Sequence, residues 1–251
     1  MKNILLALFF VFPTALVAKT VTIAFTQSLP PYLSKDNKSG IERDIIVAAL
    51  EASGVKIGKI YNVNYKRAAI LMRKKEVDGI VANQGNQSYS SNGFPVYESA
   101  STISYVDCAV TKRSRKMALK SLTDYSGRII WAFKSAKEVF GSEFKKMAET
   151  NKGYTEAADQ ENQSEMLIME RIDIAISDRN IFTHKVLHGP KGFGIDKFDF
   201  HHFTESTPRN LKFRSDSVRQ LFNRGVKAIR KNGKYHKILK KYQKFYKPTC
   251  A

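Results

Sequence analysis

The chain has 251 residues, room for one large domain or two lobes with a core each. Its 43% apolar and 26% charged content is that of an ordinary globular protein. A formal net charge of +19 suits contact with anionic membranes, lipopolysaccharide or nucleic acid, and two cysteines are too few to bind a metal by themselves.

The N-terminus has the form of a secretory signal peptide over residues 1–18. Lys2 precedes an apolar run from Ile4 to Phe12, then Pro13, Thr14 and small residues up to Ala18, with a large Leu16 at the −3 position. No cysteine follows the cut, which argues against a lipid anchor, and no later segment is long enough to cross a bilayer. Export to the periplasm is therefore expected. In that oxidising compartment Cys108 and Cys250 either form one disulfide or stand as a buried strand residue and a tail residue.

In the exported chain, "TVTIAF" (Thr20 to Phe25) reads as a first strand, followed by an irregular loop with Pro-Pro and Asn-Lys-Ser-Gly clusters. "IERDIIVAALEAS" is a helix with Ile41, Ile45, Ala48 and Ala52 on one face, closed by Gly54. A strand near "KIGKIYNV", the helix "YKRAAILMRKK" and the strand "VDGIVA" complete an alternation that implies a parallel sheet. After the long strand candidate "STISYVDCAVTKR" the rhythm restarts. "GRIIWAF" is a strand, Ser135 is positioned to cap the helix "AKEVFGSEFKKMAE", and a further strand lies near Tyr154 to Ala157. Asn162 and Glu165 have capping-box spacing for the next helix. The strand "IDIAIS" and the helix "RNIFTHKVLH" follow. An irregular stretch from Gly189 to Pro208 leads to the strand "RNLKFR" and two C-terminal helices.

Those last helices carry the charge. From Ser217 onward there are eleven Lys and Arg and no acid. Val218, Leu221, Phe222 and Ile229 make one apolar stripe, and Tyr235, Ile238, Leu239 and Tyr242 another after Asn232-Gly233. The pattern predicts two amphipathic helices docked on a core with a solvated basic face. The aromatics follow the core stripe, which speaks against nucleic-acid binding.

Two phrases repeat across the halves: "EVDGIVANQ" (Glu76 to Gln84) and "RIDIAISDR" (Arg171 to Arg179). Each follows a helix and puts an aspartate before an apolar run that ends on a polar residue, Asn83 or Asp178. Ligands of open α/β sheets bind beyond the carboxyl ends of strands, so these two residues would face a cleft between two lobes. No Gly-x-Ser-x-Gly elbow, P-loop or Cys-His pairing appears, so no catalytic residues are assigned and the chain is not read as an enzyme. His184 and His188 stand one helical turn apart without a third ligand nearby, so no metal and no cofactor are assigned.

Taken together, "PPY" (Pro30 to Tyr32), "SGIERDI", "EVDGIVA", "SLTDYSGRIIWAFKSAKEVFG", "RIDIAISD" and "NGKYHKILKKY" resemble, in order, the periplasmic solute-binding proteins of ABC transporters, type II, polar-amino-acid branch. The resemblance implies a periplasmic-binding-protein-like II fold, two Rossmann-like α/β lobes joined by two hinge strands. Lobe 1 would be 19–107 plus 209–251, lobe 2 would be 108–208, and Cys108 would lie near the hinge. It also implies a monomer that closes on a small polar solute and delivers it to an inner-membrane ABC permease. The same fold also serves as a sensing partner of a periplasmic receptor domain.

Carried over residue by residue, Asp178 falls where the family holds a ligand ammonium, although it equally suits the N-cap of the following helix. Asn83, Gln84 and Gly85 match the small polar residues after the first repeated strand, or form an ordinary turn. Ser135 matches an anion-facing helix start, Lys134 replaces a usual glycine, and Tyr32 fits a pocket-lining aromatic or a structural tyrosine. One departure stands out. The family's arginine that clamps a solute carboxylate is missing from "NQSYSSNGFPVY", which leaves Arg67 or Lys134 as substitutes. A polyamine-like cation or another small polar, amino-acid-like solute stays open, and Asp178 together with the missing arginine favours a ligand richer in ammonium than in carboxylate.

Overall fold

The computed structural model describes residues 20–26, 28–82, 95–157, 162–189 and 194–250. The first sheet forms from β1 (Thr20–Phe25), β2 (Lys56–Asn62) and β3 (Gly79–Ala82), with β4 (Tyr97–Glu98) and β5 (Ile103–Tyr105) at its far side. Helix α1 (Ile41–Ala52) connects β1 to β2, and α2 (Tyr65–Arg73) connects β2 to β3. The second sheet takes β6 (Asp107–Lys112), β7 (Ile130–Phe133), β8 (Tyr154–Ala157), β9 (Ile174–Asp178) and β10 (Phe198–His202). Its helices are α3 (Ala136–Val139), α4 (Gly141–Thr150), α5 (Gln163–Ile168) and α6 (Arg179–His188). The chain then returns to the first sheet through β11 (Thr207–Phe213) and closes with α7 (Asp216–Lys231) and α8 (Lys234–Lys241).

The strand orders are β2-β1-β3-β11-β4, with β5 on β11, and β10-β6-β9-β7-β8. The chain thus crosses between sheets twice, at Val106 and between β10 and β11. Both sheets are covered on both faces, as the two-residue side-chain period shows. Val21, Ile23 and Phe25 pack with α1 and α7, whereas Ala24 packs with α2. In the second sheet Cys108, Val110 and Ala175 face α5 and α6, whereas Ala109, Ile174 and Ile176 face α3 and α4. Gly225 lets α7 approach α1 closely, since a Cβ there would stand 1.8 Å from the Ala49 carbonyl oxygen.

The repeated phrase has a shared structural job. Asp78 and Asp173 each stand just before an inner strand and bridge to the chain beside it. The Asp78 carboxylate accepts the Thr22 N–H at 2.9 Å, and that of Asp173 accepts the Ile129 N–H at 2.8 Å. Each is also bound by an arginine, Arg214 in one lobe and Arg115 in the other. An ion-paired carboxylate thus fixes the register of the two neighbouring chains in each lobe.

Several local expectations are corrected. The long strand divides at Val106, where the chain leaves one sheet for the other. The stretch read as irregular contains β10, antiparallel to β6 from Phe198 to His202. The helix after Ser135 is two helices, broken at Gly141, whose φ of 83° suits only a residue without a Cβ. Ser135 itself is left-handed, with φ 70°, and its side chain caps nothing; Asn162 does not cap either.

Cys108 and Cys250 are joined, with Cα atoms 5.8 Å apart. Cys250 packs in the second lobe's cluster with Val106, Cys108 and Phe198, so the tail after α8 ends on the lobe opposite its helix. Along the way Phe245 stacks near His184 and His188 of α6, and Tyr242 reaches back to Gly40 and Asp44.

Candidate functional site

The site begins with the Pro30–Leu33 loop. The start of α1 leaves N–H groups without helical partners, and the loop supplies them: Ile41 and Arg43 donate to the carbonyls of Pro31 and Tyr32 at 2.9 and 3.3 Å. Gly40 permits this approach at φ 138°, because a Cβ would lie 2.2 Å from the Tyr32 oxygen. Tyr32 is thereby fixed to the first lobe while its ring, 4.5 Å from that of Tyr105, points its hydroxyl at the second.

There it meets Asp178. The hydroxyl donates to the two carboxylate oxygens at 3.0 and 3.2 Å and accepts from Asn180 Nδ2 at 2.9 Å. The same carboxylate caps α6, accepting the N–H groups of Asn180 and Ile181, and also takes the Val106 N–H at 2.7 Å. Asn180 Oδ1 accepts the N–H of Lys247 from the C-terminal tail. One carboxylate therefore joins a first-lobe loop, the crossover and a second-lobe helix, and the tail reaches it through Asn180. Burial pushes Asp178 up to about 6, against the lowering effect of its amide and hydroxyl donors, so it is ionised at neutral pH.

A second buried group lies alongside. Arg209 points inward from β11 in register with Leu211 and Phe213. Its Nη2 pairs with Glu42 of α1 at 3.3 Å, and its guanidinium lies 4.4 Å from the Tyr105 ring centroid. Thr102 donates to Glu42 at 3.1 Å. Among the described residues Nε and Nη1 of Arg209 find no acceptor. Asp107, opposite Asp178 in the β6–β9 pairing, is raised to about 8 by burial first and by the Asp178 charge second, with Arg209 opposing. It is protonated at neutral pH. The Glu42–Arg209 pair balances itself, and the Arg179 guanidinium turns to the Cys250 carbonyl and the Phe200 ring, so the hydrogen-bond partners of Asp178 are amides and a hydroxyl rather than a cation.

Of the residues singled out in the sequence, Tyr32 and Asp178 are thus in direct contact. Lys134 and Ser135 stand exposed at the end of β7. The Ser135 and Lys137 N–H groups donate to Glu156 at 2.7 and 2.8 Å, so a carboxylate of the chain itself already occupies the helix start read as anion-facing. Arg67 is an exposed residue of α2. Asn83, Gln84 and Gly85 lie outside the described residues. Sequence reading missed Asn180, Glu42, Asp107 and Arg209. For Arg209 a signal existed, an arginine at the inward register of an alternating strand; for Asn180, at a helix's second position, none did.

The family model of bacterial extracellular solute-binding proteins, family 3, matches residues 21–245. An ancestral arginine-binding protein bound to glutamine is similar in structure, with a TM-score of 0.64 and 18% identity, over 89% of this chain and 97% of that one. An ABC uptake transporter substrate-binding protein from Streptococcus pneumoniae with bound histidine gives 0.65 at 19% identity, over 89% and 92%. A histidine kinase sensor domain similar to periplasmic binding proteins gives 0.66 at 14%, over 89% and 95%. No curated protein sequence matches the chain. Among the described residues no helix is long and apolar enough to cross a membrane. Two doubly covered α/β lobes with two crossovers, and a family match over nearly all of the described fold, lead to one conclusion: this chain belongs to the bacterial extracellular solute-binding proteins of family 3.

Proposed function

We propose that the protein is an exported, non-enzymatic carrier that closes its lobes around a small amine-containing solute and hands it to an ABC permease. The observation that carries this reading is the buried Asp178 carboxylate at the seam between the lobes, held by neutral donors with no cation among them. The nearby Arg209 is balanced by Glu42, and Glu156 fills the helix start of the second lobe. A cation is favoured at such a seam and a free carboxylate is not. On this reading the ligand ammonium takes the place of the Tyr32 hydroxyl on Asp178, with Asn83, Gln84 and Gly85 completing the contact from the first lobe. Contacts from both lobes exist together only in the closed form, so ligand shifts the hinge equilibrium toward it. Delivery to a permease draws support from the similar transporter-associated structure. A second reading, in which the closed form engages a membrane receptor, draws its support from the sensor-domain likeness.

A thermal-shift panel of amino acids, diamines, polyamines, small peptides, organic acids and sugars tests the ligand class. An amine at about 100 times its Kd adds about 2.7 kcal/mol, or roughly 5–10 °C at this size, and Asp178→Asn abolishes the shift. Stabilisation by organic acids or sugars instead, or an amine response unchanged in Asp178→Asn, would sink the proposal. A closed complex that is retained by the permease points to transport, and one retained by a receptor domain points to sensing.

A further inference from the structure

We propose that the outward face of α7 and α8 docks the protein onto an anionic phospholipid surface, independently of the solute site. The apolar side of this pair is fully used, since Val218, Phe222, Val226, Ile229 and Ile238 are buried in the first lobe. The opposite side is cationic. Arg224, Lys227, Lys231, Lys234, Lys237 and Lys240 are exposed, and none makes an ion pair among the described residues. They recur at intervals of three or four residues, which keeps successive charges near one helical face.

Folding alone gains nothing from this arrangement. Like charges one turn apart on a helix repel each other, and from Ser217 onward the chain supplies no acid to offset them. Among the described residues acidic partners reach only the margins of the pair, where Asp216 binds Arg219 and Asp44 binds Lys241. The centre of the face is thus left unbalanced by the chain itself, and an anionic surface complements it.

The chemistry favours a lipid surface over nucleic acid. Tyr235, Tyr242 and Tyr246 pack against the first-lobe core rather than standing between the lysines, which leaves no stacking platform for bases. Five of the six residues are lysines, point charges suited to a diffuse negative field rather than to bidentate phosphate recognition. Each basic residue held near an anionic leaflet raises partitioning roughly five-fold, and the effect fades beyond a Debye length.

The test uses residues 19–251, which hold every strand and helix described above, in co-sedimentation with phosphatidylcholine vesicles containing about a third phosphatidylglycerol. The expected result is binding at about 50 mM salt, its loss near 500 mM, and none to pure phosphatidylcholine. Replacing Lys227, Lys231, Lys234 and Lys237 by Gln lowers partitioning roughly 100-fold or more without lowering the melting temperature. A control with Lys116, Lys120, Lys146 and Lys152 replaced by Gln removes the same charge from the second lobe and retains binding. No sedimentation with acidic vesicles at low salt overturns the proposal. So does equal loss in the two variants, which would make net charge the cause, or binding to DNA without binding to vesicles.

Discussion

Replacing Tyr32 by Phe isolates the contact that crosses between the lobes. The change removes one oxygen and keeps the ring against Tyr105 at 4.5 Å. That oxygen donates to Asp178 at 3.0 and 3.2 Å and accepts from Asn180 at 2.9 Å. A hydrogen bond to an ionised carboxylate contributes about 1.5–3 kcal/mol, and the Asn180 N–H left buried without a partner adds to the loss. The sum is about 2–4 kcal/mol, because Asp178 keeps its three amide donors. For a chain of this size the melting temperature should fall by roughly 5–10 °C at pH 7.5, where Asp178 is ionised. If the contact holds the lobes closed, a loss of about 2 kcal/mol moves the hinge equilibrium roughly 30-fold toward the open form, which small-angle scattering reads as a larger radius of gyration. In a cycle with Asp178→Asn, the Tyr32 change should cost clearly less than it does alone. A Tyr32→Phe protein that melts within about 1 °C of the parent, with the same radius of gyration, would refute the reasoning. The amide donors would then hold Asp178 without help from the first lobe.

The Cys108–Cys250 bridge closes a loop of 142 residues, for which chain entropy predicts up to about 5 kcal/mol. Reductant, or the double change to Ser, should lower the melting temperature and speed amide exchange from Tyr242 to the C-terminus; a melt indifferent to reductant would contradict this. Asp107 titrates near 4 when unfolded and about 8 when folded, so between those values the unfolded chain binds fewer protons and stability falls as pH rises. Asp107→Asn removes that slope. Its melting temperature relative to the parent should climb steadily from pH 5 to about 9, and parallel curves would show that burial does not raise this carboxyl.

What the sequence determined by itself is local or periodic. The apolar stripes of α1, α7 and α8 were legible because helices bury one face, and the inner strands because short apolar runs sit between sheet-covering helices. The repeated aspartates announced two lobes with a common construction, and six ordered motifs named the family. Capping was legible where the donor and acceptor are close in sequence, as at Asp178. It misled at Ser135, where Glu156, twenty-one residues on, takes the amides instead. Spacing is also silent on β10, whose five residues become a strand only by pairing with β6.

The tertiary structure alone decided which groups meet at the seam. Tyr32 and Asp178 are 146 residues apart in sequence, Glu42 and Arg209 are 167 apart, and the two cysteines are 142 apart. Nothing local in a sequence couples such pairs. They are brought together by sheet order and two crossovers, and the burial that follows changes their chemistry, keeping Asp107 protonated and Asp178 charged at neutral pH. The sequence named the residue types; their charges and partners were settled by desolvation, which only the folded chain imposes.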